Sequence, residues 1–220
     1  MTVTVALEGF HAVKHALRFA PDLVRRISAV DPAAAVALCT HLAPDLVTLF
    51  SEQVTHGPTD HPTGVAGLAD RPVEDRTVLG RRTSPLVVLD DPKHPGNAGA
   101  AVRVAAAAGA SGVALVGSLD PWHPAVLRGS AGLHYALPVL SAGVTELGGE
   151  VWALDADGDP LGAVPDDVVL VVGSERAGVS PLLRERADRV VSLPMTPGVS
   201  SLNLATALSA ALYAWRLGRS

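Results

Sequence analysis

Cysteine is almost absent from this chain: Cys39 is the only one in 220 residues. No intrachain disulfide can form, which suits a reducing cytoplasm. Cys39 lies in the run AAAVALCTHL and reads as a small buried hydrophobe. A basic excess is also missing. Net charge is −5 at pH 7. Residues 1–84 carry 8 basic and 9 acidic side chains and residues 85–220 carry 9 and 13, so neither part has the broad basic footprint of a generic nucleic-acid binder. The N-terminus, MTVTVALEGFHAV, lacks the basic and apolar regions of a signal peptide. No run is apolar enough to span a membrane: the best, 98–116, is mostly Ala and Gly and contains Arg103. A soluble cytoplasmic protein is expected. Chemical motifs are missing too. There is no Walker A pattern, no G-x-S-x-G elbow, and GNAG at 96–99 lacks the three spaced glycines of a dinucleotide fingerprint. The eight His show no metal spacing with Cys or Glu. DADGD at 155–159 fails as a calcium loop, because Pro160 stands where glycine is required and Asp166 where glutamate is. No metal is expected.

What is present is 48% hydrophobic residues, enough for a substantial core. Residues 9–19 have helical spacing, with Val13, Ala16, Leu17 and Ala20 on one face. LVRRISAV (23–30) reads as a strand, and DPAAAVALCTHL as a helix opened by Asp31 with Pro32 in its first turn. DLVTLF (45–50) and GVAGLA (64–69) read as further strands. This is a small α/β unit, residues 1–75. The polar stretch that follows has no sustained period and reads as a linker, 76–84. Residues 85–220 alternate more regularly. Apolar runs at 85–90, 112–117, 135–140, 150–156, 167–174 and 189–195 read as strands, and 97–109, 124–132, 180–187 and 203–218 as helices. In the last helix Leu204, Ala207, Leu208, Ala211, Leu212 and Trp215 form one stripe. Continuous apolar strands alternating with helices predict a parallel sheet flanked by helices, with ligands beyond the carboxyl ends of the strands. The loops LDADGD, GSERAGVS and LPMTPGVSSLN stand at such ends.

Three segments carry candidate chemistry. In DDPKHPGNAGAAVRVAAAAGA (90–110), Asn97 precedes a helix and reads first as a cap, while Arg103 is a permanent cation among Ala and Val. It is either a snorkelling surface residue or a planar fork for a phosphate. In VVGSERAGVSP (171–181), Glu175 sits in a loop bounded by Gly173 and Gly178, which permit unusual dihedrals or close approach of a ligand to the backbone. In SLPMTPGVSSLNLA (192–205), Ser200-Ser201-Leu202-Asn203 abuts an alanine-rich helix, as a cap or as a ligand loop.

Together these segments resemble the SpoU/TrmH family of RNA 2′-O-ribose methyltransferases, in the SPOUT superfamily. That family's first motif is an Asn, a Gly two residues on and an Arg six residues on, here Asn97, Gly99 and Arg103. Its second is a Gly-x-Glu loop closed by Gly and an aliphatic residue, here GSERAGV. Its third is an aliphatic-Pro-Met stretch followed by Ser-Leu-Asn at the last helix, here LPM and residues 201–203. RGSAGLHYALPV (128–139) is similar to the family's connecting segment, and LEGFHAVKHAL with HPTGVAGLA is similar to its small RNA-binding domain. The resemblance implies a C-terminal trefoil knot, a homodimer, S-adenosylmethionine as methyl donor and RNA, ribosomal or transfer, as substrate. By position in the motifs it implies Leu154, Asp155, Gly173, Leu193, Met195, Ser201 and Leu202 around the cofactor. It implies Arg103 as base or phosphate clamp, with Asn97, Glu175, Ser201 and Asn203 orienting it and the ribose. Arg176 departs from the pattern, standing where many relatives carry Gly. Arg81, Arg82, Arg128 and Arg176 are expected to contact RNA. Two rivals are a non-catalytic RNA-binding or ribosome-assembly factor on the same fold, and a nucleotide-binding oxidoreductase, which the missing glycine fingerprint disfavours.

Overall fold

The computed structural model describes residues 3–174, 177–199 and 201–219. The chain divides into two compact units: residues up to Val73 together with Ser130–Ala136, and Glu74–Gly129 together with Leu137 onward.

The first unit runs β1 (Thr4–Glu8), α1 (Phe10–Phe19), β2 (Val24–Ala29), α2 (Pro32–Leu42), α3 (Val47–Gln53), β3 (Val54–His56) and β4 (Val65–Asp70). Its sheet has the order β1-β4-β2-β3, antiparallel except for β2–β3. Phe10, Val13, Ala16 and Leu17 bury one face of α1, and Phe10 meets Phe50 edge-on at 5.7 Å. Ala20, expected on that face, is instead the residue that ends the helix. Asp31 caps α2 through its side chain, accepting from Ala33 N and Ala34 N, with Pro32 pre-set for the first turn. The strand expected at 45–50 is a correction. Pro44–Leu46 is a 3₁₀ turn that leads into α3. Leu46 and Phe50, four residues apart, are the buried pair, so the period is helical even though the run is as short and apolar as a strand.

The second unit runs β5 (Leu86–Asp90), α4 (Pro95–Ala108), β6 (Gly112–Val116), α5 (Pro124–Gly129), β7 (Val139–Ser141), β8 (Val151–Pro160), β9 (Val169–Val172), α6 (Pro181–Arg186), β10 (Arg189–Ser192) and α7 (Leu204–Leu217). All six strands are parallel, in the order β10-β8-β9-β5-β6-β7. Every residue of β5 and β9 is buried, as a sheet covered on both faces requires. Helix α4 ends at Gly109 with φ 80°, a left-handed terminus that glycine adopts without strain. It also lies hard against α5: a Cβ on Gly99 would fall 2.4 Å from the Val126 carbonyl oxygen and 2.7 Å from Gly129 Cα. Helix packing therefore explains why position 99 is a glycine.

Part of the stretch 76–84 packs onto the second unit. Arg76–Leu79 form a 3₁₀ turn, and Val78 and Leu79 join the core cluster of Leu86, Leu140 and Val151. LDADGD lies inside β8 rather than after it, most of it left unpaired by a register shift against β10. Among the described residues no helix is long and apolar enough to cross a membrane.

Candidate active site

A cavity of about 440 Å³ opens within the second unit, beyond the carboxyl ends of β9 and β10 and beside the middle of β8. A parallel sheet places its ligand there because strand ends and their loops converge while helices cover both faces. Leu154 and Asp155 reach it from β8, Gly173 from the turn after β9, Leu193 and Met195 from the segment after β10, and Ser201 and Leu202 from the approach to α7. All seven residues expected at a cofactor thus line one space. Ser174, Gly178 and Ala207 line it as well and were not singled out as site residues. Gly178, as one bound of the GSERAGVS loop, carried a signal in sequence; Ser174 carried none. Ala207, read as part of the buried stripe of α7, turns to the cavity together with Leu204, while Leu208, Ala211, Leu212 and Trp215 fill the core.

The wall after β9 is mostly backbone. Ser174 and Gly178 exchange N–H···O bonds of 3.0 Å in both directions, and Gly178 holds φ at 66°. A Cβ on Gly173 would sit 2.0 Å from the Gly178 carbonyl carbon, so only glycine fits there. The loop is anchored at its far end, where the buried Asp90 carboxylate accepts a 2.5 Å bond from Ser180 N. On the facing wall, Asp155 accepts from Arg184 at 3.0 Å and from Ala156 N at 2.7 Å. The carboxylates of Asp157 and Asp155 hold the Arg184 guanidinium pKa above its ordinary value.

The predicted catalytic residues are brought together in part. Asn203 caps α7, its Oδ1 accepting from Ala205 N and Thr206 N, while its Nδ2 donates to Asn97 Oδ1 at 3.3 Å. Asn203 is thus both a cap and a tie between α7 and α4. Asn97 is not a cap: that position belongs to His94, and Asn97 lies in the first turn of α4. Nor does Asn97 orient Arg103 directly. Six residues of helix turn through 600°, leaving the two side chains about 120° apart around the axis. Arg103 is exposed on the side nearer Gly99 and makes no ion pair or hydrogen bond among the described residues. Glu175 lies outside the described residues, as does Arg176.

Of the expected RNA contacts, Arg81 and Arg128 are exposed. Arg82 is a correction. Its guanidinium donates to the carbonyls of Asp167 (2.6 Å), Gly148 (2.6 Å) and Leu79 (3.0 Å), and burial lowers its pKa. Its donors staple the chain entry to the sheet and are not available to a phosphate.

These features define a parallel α/β protein with a backbone-walled ligand cavity at its strand ends. The chain belongs to the SpoU rRNA Methylase family, whose model matches residues 84–213. It is 37% identical to the 23S rRNA (adenosine(1067)-2′-O)-methyltransferase of Streptomyces azureus, over 65% of this chain and 58% of that protein. Identity to the 23S rRNA (uridine(2479)-2′-O)-methyltransferase of Streptomyces viridochromogenes is 33%, over 78% of this chain and 64% of the other. The chain thus spans about three-fifths of the length of these two relatives. It matches more of the Bacillus subtilis 23S rRNA (guanosine(2553)-2′-O)-methyltransferase RlmP, at 30% identity over 96% of this chain and 88% of that one. Among solved structures, the SpoU methyltransferase AviRb of Streptomyces viridochromogenes in complex with AdoMet superposes with a TM-score of 0.80. That match has 25% identity and covers 98% of this chain and 90% of the other.

Proposed function

We propose that this protein transfers a methyl group from S-adenosylmethionine to a ribose 2′-hydroxyl of structured RNA, with 23S rRNA the first substrate to test. The observation that carries the reading is the single cavity shared by Leu154, Asp155, Gly173, Leu193, Met195, Ser201 and Leu202. The relatives named above support it, as does the AdoMet complex of AviRb. The cavity suits an adenosyl cofactor: its volume lies in the range of small-molecule sites, and its walls alternate aliphatic side chains with backbone polar groups. The bare Gly173 backbone gives a flat group room that a side chain would fill.

When bound, the cofactor supplies an electrophilic methyl group on a sulfonium. The chain's own residues do the rest. Leu154, Leu193 and Leu202 grip the apolar parts of the cofactor and exclude water. Gly173 and Met195 offer backbone groups, and Ser201 orients the ribose at the mouth. Arginine stays protonated in proteins, so Arg103 acts as a bidentate clamp on the RNA phosphate beside the target, stabilising the developing alkoxide while the 2′-hydroxyl proton passes to solvent water. Glu175 supplies an orienting carboxylate. Asn203 and Asn97 keep α7 and α4 in register. Holding the hydroxyl in line with the methyl group is worth on the order of 7–11 kcal/mol.

The fold reading extends to a C-terminal trefoil knot, supported by Leu193, Met195, Ser201 and Leu202, which line the same cavity as the loop after β9. A cytoplasmic homodimer is part of the proposal, supported by exposed Tyr213 and Leu217 on α7. Residues 1–75 form the RNA-binding domain, residues 85–220 the methyltransferase domain, and Arg81, Arg128 and Arg176 add phosphate contacts. The test is transfer of label from S-adenosylmethionine to RNA from a strain lacking the gene, followed by digestion to nucleosides. Label in one 2′-O-methylnucleoside, lost in Arg103→Ala, is expected. A protein that binds neither cofactor nor label would be an RNA-binding factor on this fold.

A further inference from the structure

The β8 strand does not run smoothly beside β10. Val190 stands opposite Ala153, but the next residue, Val191, stands opposite Asp159. Residues 154–158 therefore have no counterpart in β10 and bulge from the ladder. This bulge supplies Leu154, Asp155 and Ala156 to the cavity wall. It closes back against β10 through Gly158, where a Cβ would lie 2.6 Å from the Val190 carbonyl carbon. Ser192 Oγ donates to the Gly158 carbonyl at 2.8 Å and secures that end.

The rest of the bulge is held from outside the sheet. Arg184, on α6, donates through Nη1 to Asp155 Oδ2 at 3.0 Å and through Nη2 to both oxygens of Asp157, at 2.8 and 2.7 Å. Without a cation between them, these two carboxylates, two residues apart, repel each other. A planar fork bridges both at once, and an ammonium does not. Helix α6 follows directly on the loop of the opposite wall. Ser180 caps it, Leu183 is fully buried, and the Ser180 backbone hangs on Asp90 at the end of the loop that carries Gly173, Ser174 and Gly178. The walls approach each other here, with Asp155 Oδ2 3.4 Å from where a Gly178 Cβ would stand. Arg184 and Asp157 are themselves 37% and 68% exposed, so the pair adds little to global stability.

We propose that Arg184 is a positioning residue that sets the width of the cavity by tying the β8 bulge to α6. The inference deepens the methyltransferase reading and rests on it. Removing the fork leaves the wall to be ordered by the ligand, which weakens binding roughly tenfold. The effect falls on the donor and its demethylated product alike, because it acts through the shape of the wall.

The experiment measures calorimetric affinity for S-adenosylmethionine and S-adenosylhomocysteine, together with steady-state kinetics on RNA. The variants are Arg184→Gln, Arg184→Lys, Asp157→Asn and Arg186→Gln. Arg186 leaves the same helix but bonds the carbonyls of Leu147 and Gly149, away from the cavity. Arg184→Gln is expected to raise both dissociation constants and the KM for donor, with KM for RNA, kcat at saturating donor and the melting temperature unchanged. Arg184→Lys and Asp157→Asn fall between it and wild type, and Arg186→Gln matches wild type. Wild-type affinity in Arg184→Gln, or an equal loss in Arg186→Gln, overturns the inference while leaving the methyltransferase reading intact. A wild-type protein that binds neither ligand overturns both.

Discussion

The sharpest consequence of the cavity's construction concerns Gly173. Its Cβ position lies 2.0 Å from the Gly178 carbonyl carbon, 2.2 Å from the Gly178 oxygen and 2.3 Å from Val179 N, where ordinary contact begins at 3.4 Å. These are backbone atoms, so no rotamer change relieves the overlap. The Gly178 segment is fixed by its two bonds to Ser174, by the buried Val179 side chain and by the Ser180–Asp90 bond. Gly173→Ala must therefore push this loop away or fail to fold around it. Overpacking costs about 1–3 kcal/mol, and losing two backbone hydrogen bonds adds about 1 kcal/mol each. The sum is about 3–5 kcal/mol; at about 4 kcal/mol and a urea slope of about 2 kcal/mol/M, the midpoint falls by about 2 M. Tryptophan fluorescence is a suitable probe, since Trp122, Trp152 and Trp215 are all buried in the second unit. Because Gly173, Ser174 and Gly178 all line the cavity, cofactor affinity falls with stability. Gly162→Ala, with nothing within 4 Å of its Cβ position, is the control and should lose nothing. A Gly173→Ala protein with the wild-type midpoint and affinity would refute the reasoning outright.

Other expectations are equally direct. Arg103→Lys keeps the charge but loses the bidentate fork, so kcat/KM for RNA should fall by about 100-fold or more with cofactor affinity unchanged; full activity would remove Arg103 from the mechanism. Asn203→Ala should cost about 1 kcal/mol of stability through its lost cap. Asn203→Ser restores that cap but not the reach to Asn97, so it should recover the melting temperature and not the activity. Recovery of both would reduce Asn203 to a cap. At low pH, Arg25, then the Thr4 hydroxyl, hold the Asp70 carboxyl below the usual carboxylate range. The unfolded chain then takes up its proton first as pH falls, at about 3.9. The contribution of Asp70 is complete above that value and drains away as pH drops through the folded one. Asp70→Asn should flatten this acid limb in urea titrations, and identical pH slopes would count against it.

Much of the second unit was legible because its signals are local. β5 and β9 are buried at every position, and an unbroken apolar run has few homes besides a covered parallel strand. Helix α7 announces itself by its stripe and by Asn203 at its start. Asp45–Phe50 was misread because a short apolar run satisfies both periods; only the pairing of Leu46 with Phe50 inside the core decides it. Strand β1 was not read because Thr4–Glu8 alternates with little apolar contrast and owes its place to pairing with β4. Arg82 was expected to contact RNA because nothing in sequence reveals that the carbonyls of Gly148 and Asp167 converge on it.

The site divides along the same line. Loops at strand ends can be flagged from sequence, because that is where a parallel sheet holds ligands, but the seven cavity residues were named by their positions in the motifs of the resemblance, and all seven line one space. A wall made of backbone leaves only glycine as its trace, so Gly173 and Gly178 were visible while Ser174 was not. A clamp such as Arg184 leaves no trace at all. Its partners lie 27 and 29 residues away, and their approach depends on the bulge in β8 that lets Asp155 and Asp157 leave the ladder. The motif residues Asn97 and Arg103 therefore mark where chemistry is expected, whereas the dimensions of the cavity are set by contacts that carry no motif.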